Sequence, residues 1–317
     1  MLSETLIIRA NSTYDSWEAG SLDDQIALTT LDQIISEARE AHLLDALLAG
    51  LNNRTILLRY LGLFESALQS NAEMAQIARE QDNHRYLSYA AFLEGDIFRL
   101  QGKLGLARKA LLDAYEFAKL SGDHLAEAYA LHLQASILLE EKMVDGAETL
   151  AFQGLASIDL YIQNQNDPDL IYTSLQSSHY QLLARCEFAR NSIPEAWKQA
   201  LRAMALAEIR GSAIEIGNTY VVYGVLSAQF PDQIPAGMSR NFDDYFQNAL
   251  RQFRLARAEP EIASLYLDYA RSLHQQRRTT EAIQWLEQSA ELFKRLRRPV
   301  GILNAVALLA QYRSLQS

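Results

Sequence analysis

Apolar residues recur at the three- and four-residue spacing of amphipathic helices along almost the whole chain, as in the set Leu104, Leu111, Leu112, Tyr115 and Phe117-Ala118. The pattern is itself repeated. The segments Gly62-Leu-Phe-Glu-Ser-Ala67, Gly102-Lys-Leu-Gly-Leu-Ala107, Lys142-Met-Val-Asp-Gly-Ala147 and Arg277-Arg-Thr-Thr-Glu-Ala282 superimpose, each reading as a short turn that opens onto a helix. Their closing residues, with Ala27, Ala196 and Phe242, fall at 27, 67, 107, 147, 196, 242 and 282, in steps of 40, 40, 40, 49, 46 and 40. The two irregular steps coincide with turn-rich insertions, Asn164-Gln-Asn-Asp-Pro-Asp169 and Phe230-Pro-Asp-Gln-Ile-Pro-Ala-Gly237.

A second column stands twelve residues before the turn position: Thr55, Gly95, Ala135, Ala184 and Ala270, with Gly224 joining once six inserted residues are allowed. All are small. Two antiparallel helices joined by a tight turn approach closely only where both contact surfaces lack bulk, so the paired columns predict helix hairpins. Each hairpin has apolar surface that it cannot bury alone, and stacking on its neighbours buries it. Seven helix pairs are expected, over 1–41, 42–82, 83–122, 123–165, 166–211, 212–258 and 259–298. The first is the poorest match, with Asn11-Ser-Thr13 inside its leading helix from Ser3 to about Trp17, and fraying is expected there. A capping helix over 299–316 follows, with Pro299 near its start, Ile302, Ala305, Val306 and Leu309 on one face, and Gln311, Arg313 and Gln316 outward.

Composition agrees with an all-α chain. Hydrophobic residues make up 49% of 317, while 14 Gly and 6 Pro leave few places for turns. The net charge of −10, from 29 Lys and Arg against 39 Asp and Glu, argues against direct nucleic-acid binding or attraction to anionic lipid. No uncharged apolar run reaches the roughly 18 residues of a membrane span, and no signal-peptide pattern opens the chain. The lone Cys186 cannot pair within the chain, so a cytoplasmic location is expected.

Catalytic motifs are absent: no phosphate-binding glycine loop, no His-Glu-x-x-His, no paired cysteines and no nucleophile elbow. The adjacent carboxylates Asp23-Asp24, Glu140-Glu141 and Asp243-Asp244 read as solvated surface or turn charge. His42, His84 and His124 recur near the junctions between units, roughly 10 Å or more apart in a stack of helices, which is too far to share one metal ion. They read as junction packing or helix-start hydrogen bonding. Cys186, among Leu182, Leu183 and Phe188, reads as an inert buried thiol. No catalytic residue, metal or cofactor is expected.

The small residue of the first helix, Gly102, Leu104, Ala107 and Ala114 resemble the tetratricopeptide signature, and the resemblance covers almost the whole chain. The usual period is about 34 residues. The longer spacing, with Gly122-Asp123 between units, resembles the long-helix branch of kinesin light chains and of the sensor arms of large bacterial transcription activators. Lys142, Asn191 and Arg277 replace the turn glycine, and Phe242 replaces an alanine.

The resemblance implies a right-handed superhelix forming a single domain over 1–317, with the first helix of each pair lining a concave groove. Carried over by register, it assigns to the groove Asn52, Ile56, Arg59 and Tyr60; Tyr89, Phe92, Asp96 and Arg99; Tyr129, His132, Ser136 and Glu140; Ser178, Gln181, Arg185 and Phe188; Asn218, Val221 and Val225; and Ser264, Leu267, Arg271 and His274. Four of these are arginines, the usual anchors for acidic or carboxylate-bearing peptides. The alternative is that they pair with neighbours such as Asp96 and Glu140 and keep the groove wet. The implied function is a non-catalytic scaffold that binds a protein or peptide segment, or alternatively a ligand- or peptide-sensing arm of a larger regulator.

Overall fold

In a computed structural model, described here for residues 2–165 and 170–315, the chain forms fifteen α-helices and one short 3-10 turn, with no strand among the described residues. The helices are α1 (Leu2–Glu18), α2 (Asp24–Glu40), α3 (Leu44–Tyr60), α4 (Phe64–Glu80), α5 (His84–Leu100), α6 (Leu104–Ser121), α7 (His124–Glu140) and α8 (Val144–Asn164). They continue as α9 (Ile171–Ala189), α10 (Ile193–Arg210), α11 (Ala213–Gln229), α12 (Phe242–Leu255), α13 (Glu259–Gln275), α14 (Thr279–Arg295) and α15 (Pro299–Ser314). Seven consecutive pairs and one further helix are thus present, as an all-α repeat fold requires. The chain divides into two compact units, Met1–Ala130 and Leu131–Ser317.

The turns share one construction. At the end of α2, the His42 amide donates to the Arg39 carbonyl at 3.2 Å and the Leu43 amide to the Ala38 carbonyl at 2.8 Å, which is the Schellman arrangement. The same pair of bonds closes α3, α4, α5, α6, α7, α9, α10, α12, α13 and α14. It needs a left-handed residue, supplied by Gly62 and Gly102 at φ 72° and 77°. Lys142, Asn191 and Arg277 take the same conformation at φ 64°, 62° and 61°. The replaced glycines therefore leave the turn unchanged.

Buried positions of the second helices keep one register. Ala107, Leu111, Ala114 and Ala118 of α6 are matched by Ala67, Asn71, Met74 and Ala78 of α4, Ala147, Ala151, Gly154 and Ile158 of α8, and Ala196, Ala200, Ala203 and Ala207 of α10. The spacing of four, three and four keeps one stripe of a 3.6-residue helix against its partner. Opposite it, a Cβ built on Gly95 would stand 2.7 Å from Leu111 Cγ, and one on Gly224 2.7 Å from Phe246 Cε2. Thr55, Ala135, Ala184 and Ala270 of the small column are each fully buried. Leu112, by contrast, is 55% exposed.

Three expectations are corrected. α1 is continuous through Asn11-Ser-Thr13 because Thr13 Oγ1 donates to the Arg9 carbonyl at 2.7 Å and Leu6, Ala10 and Thr13 are buried, so packing overrides weak propensity. Phe242 keeps the alanine register, followed by Phe246, Ala249 and Phe253, yet it opens its helix instead of lying one turn inside. The insertion occupies the residues that would have made that turn, and Asn241 caps the shortened helix. On α15 the buried stripe is Ala305, Leu309 and Tyr312, and Val306, one position round the helix, is 50% exposed. Asn164 ends α8 and Gln165 follows it in an extended conformation; residues 166–169 of the first insertion, and Gln316, lie outside the described residues.

Candidate functional site

In the first unit, α3 packs on α1 and α5, so the first helices lie side by side and their outward faces form one surface. At its centre is Asp96, 3% exposed, which pairs with Arg59 of the neighbouring helix and with Arg99 one turn along its own, where Nη2 and Nε stand 2.6 and 3.0 Å from Oδ1. The two arginine side chains keep 24% and 26% of their surface exposed, so part of each guanidinium group reaches solvent. The Arg59 Nε–H makes no hydrogen bond.

Aromatic rings flank this cluster. Trp17 meets Tyr60 edge-on at 5.1 Å and Tyr14 at 5.8 Å, and Phe92 meets Tyr129 at 6.1 Å. The Tyr89 hydroxyl donates to Asp123 at 2.9 Å and accepts from Arg85 at 2.7 Å; burial and the Asp123 charge push it up to about 12, so it stays neutral. Asn52 donates to Asn53, which in turn donates to Asn11, so this end of the face is a closed amide chain.

In the second unit, α11 packs on α9 and α13. Gln181, 7% exposed, places Nε2 3.1 Å from Glu215 Oε2 and 3.0 Å from Thr219 Oγ1, while Ser178 Oγ donates to the same Glu215 oxygen at 3.0 Å. Burial, with Glu261 nearby, pushes the Glu215 carboxyl up to about 7 against the opposing pull of Ser178 and Gln181. The His132 ring lies 5.1 Å from that of His179, whose Nδ1–H donates to the Leu175 carbonyl at 2.8 Å and whose burial lowers it to about 4. Asn218 is half-buried and Arg185 exposed. Arg271 pairs with Asp268 at 2.9 Å, and His274 stacks on Tyr312 at 3.9 Å.

The expected residues therefore gather by unit. Arg59, Tyr89, Asp96, Arg99 and Tyr129 share the first-helix face of one; Gln181, Asn218 and His132 belong to the other. His274 is taken up in packing on α15. Pairing absorbs much of the expected basic character, since Arg59 and Arg99 share Asp96 and Arg271 has Asp268. Sequence reasoning missed Tyr14 and Trp17, which sit in the poorest repeat, and Glu215, although Glu215 stands three residues before Asn218 on one helix face.

Around this surface little else is chemical. Cys186 is buried and its thiol is pushed up to about 12 by burial. Among the described residues no group of three His, Cys, Asp or Glu is placed to hold a metal, and no helix is long and apolar enough to cross a membrane. His124 Nδ1 lies 3.1 Å from Glu127 at the start of α7, and His84 stacks on Phe117.

No protein-family model matches the chain, and no curated protein matches it. Solved structures do. A Rap protein complexed with Competence and Sporulation Factor is similar over 98% of both chains, at 10% identity and a TM-score of 0.55. Aspartyl phosphate phosphatase F from Bacillus subtilis is similar over 97% of this chain and 79% of its own, at 15% identity and a TM-score of 0.51. A signal transduction ATPase with a tetratricopeptide repeat sensor from Pyrococcus horikoshii is similar over 90% of this chain and 43% of its own, at 16% identity and a TM-score of 0.50. At such identities the likeness is one of fold, and the fold is tetratricopeptide-like.

Proposed function

We propose that this chain is a non-catalytic scaffold that binds a peptide or protein segment on the first-helix face of its N-terminal unit. The observation that carries the reading is the cluster of Arg59, Asp96 and Arg99, about a quarter exposed at the two arginines and flanked by Trp17, Tyr60, Phe92 and Tyr129. Rings and guanidinium groups are the side chains that most often anchor protein interfaces. The buried carboxylate holds both guanidinium groups in place, so a ligand meets them with little ordering still to be done. Two partly exposed guanidinium groups side by side favour an acidic side chain or a terminal carboxylate on the ligand. This basic character is local, because the corresponding face of the second unit carries Glu215 and Glu261.

The Rap protein is described in complex with a factor, and the ATPase carries its repeats as a sensor. Those descriptions favour a second reading, in which the same face senses a peptide for a larger regulator.

The test is affinity capture with the purified chain, followed by titration of the captured partner against Arg99→Gln and Arg59→Gln. Glutamine is preferred to charge reversal, which would set a carboxylate beside buried Asp96. Each substitution is expected to weaken binding by about 1–2 kcal/mol while leaving the fold unchanged. Unchanged affinity in the double variant contradicts the assignment. Incubation with an acyl phosphate, chosen because one structural neighbour is a phosphatase, is expected to show no turnover.

A further inference from the structure

An open-sided cavity of about 580 Å³ lies in the second unit between α10 and the inserted segment after α11. Pro194, Trp197, Lys198, Leu201 and Arg202 line it from one stripe of α10, and Gln233 and Pro235 line it from the insertion. Trp197 packs in the core against Tyr223, while Pro194, Lys198, Leu201 and Arg202 lie off the buried register of Ala196, Ala200, Ala203 and Ala207. Leu201 is 43% exposed, although it is apolar and borders the cavity. Trp197 is 2% exposed, and its buried indole N–H makes no hydrogen bond.

The cations at this cavity differ. Lys198 is held by Glu195 at 2.8 Å. Arg202 lies over the Tyr180 ring at 5.8 Å and reaches only Gln199 Oε1, at 3.4 Å; among the described residues it pairs with no carboxylate. A wall of two prolines, a tryptophan and a leucine beside an unpaired guanidinium matches a ligand with an apolar body and one anionic group. The volume lies within the range of small-molecule sites.

We propose that this cavity binds a small free carboxylic acid, with its apolar body against Trp197, Leu201, Pro194 and Pro235 and its carboxylate on Arg202. The site does not depend on the peptide face of the other unit.

The test is calorimetric titration of the full chain with octanoate, with tryptophan fluorescence as a second readout and with octanol and octylammonium as controls. Saturable one-to-one binding is expected for octanoate and none for octylammonium. Arg202→Gln is expected to weaken octanoate by roughly 5- to 10-fold, the worth of one charge-assisted contact, and Leu201→Asn by a similar factor. Both positions lie on the cavity rim, and unchanged melting of the variants separates lost binding from lost fold. Absence of saturable binding, equal binding of the three probes, or unchanged affinity in both variants overturns the proposal. An acetylated peptide ending in a leucine carboxylate that binds more tightly than octanoate overturns it in favour of a protein C-terminus.

Discussion

Lys142, Asn191 and Arg277 hold backbone conformations that ordinarily belong to glycine, at the C′ position of a Schellman turn. A side chain there meets the backbone crowding that disfavours left-handed geometry in L-residues. Lys142→Gly and Arg277→Gly are therefore each expected to stabilise the chain by about 0.5–1 kcal/mol, and Gly102→Lys to destabilise it by a similar amount, as read by chemical denaturation. Glu215 makes a second prediction at this scale. Its folded-state value of about 7 lies above the ordinary 4.5, so the stability that comes from its neutral form is complete below about pH 4.5 and is lost as pH rises through 7. The advantage of Glu215→Gln over the natural chain should grow by about 1–2 kcal/mol between pH 5 and pH 8. A difference that stays constant across that range contradicts the burial assigned to this carboxylate.

Helix pairs are the scale at which the sequence was most legible. A turn residue followed by a small residue at fixed offset is a local signal, since it arises from the closest approach of two consecutive helices. It located Ala107 and Ala147 in fully buried positions at the right register. Replacement of either by Leu is expected to destabilise by about 1–3 kcal/mol through overpacking, while Lys109→Leu, on the exposed face of α6, should be nearly neutral in thermal melts. Equal effects at the two kinds of site contradict the register. The candidate site was less legible because it depends on contacts about 37 residues apart in sequence. Asp96 could be placed on the face, but its capture of both Arg59 and Arg99 is a matter of side-chain reach between helices, which no spacing within one repeat reveals. Tyr14 and Trp17 were hidden for a different reason: the repeat that carries them lacks the usual signature, and only packing shows that it is helical throughout.

For the molecule as a whole, the net charge of −10 and the two guanidinium groups beside Asp96 act in opposite directions on an acidic ligand. Binding at the arginine cluster should weaken as salt is raised, because the two guanidinium groups are partly exposed and charges at the surface are screened over about 10 Å at 0.1 M. The central claim is that the first helices present the working surface and the second helices support it. Its most direct measurement is photo-crosslinking of the captured partner from Phe92→p-benzoylphenylalanine on α5 and from Leu112→p-benzoylphenylalanine on the exposed face of α6. Crosslinking from position 92 and not from 112 is the expected result. Crosslinking from 112 alone contradicts the claim.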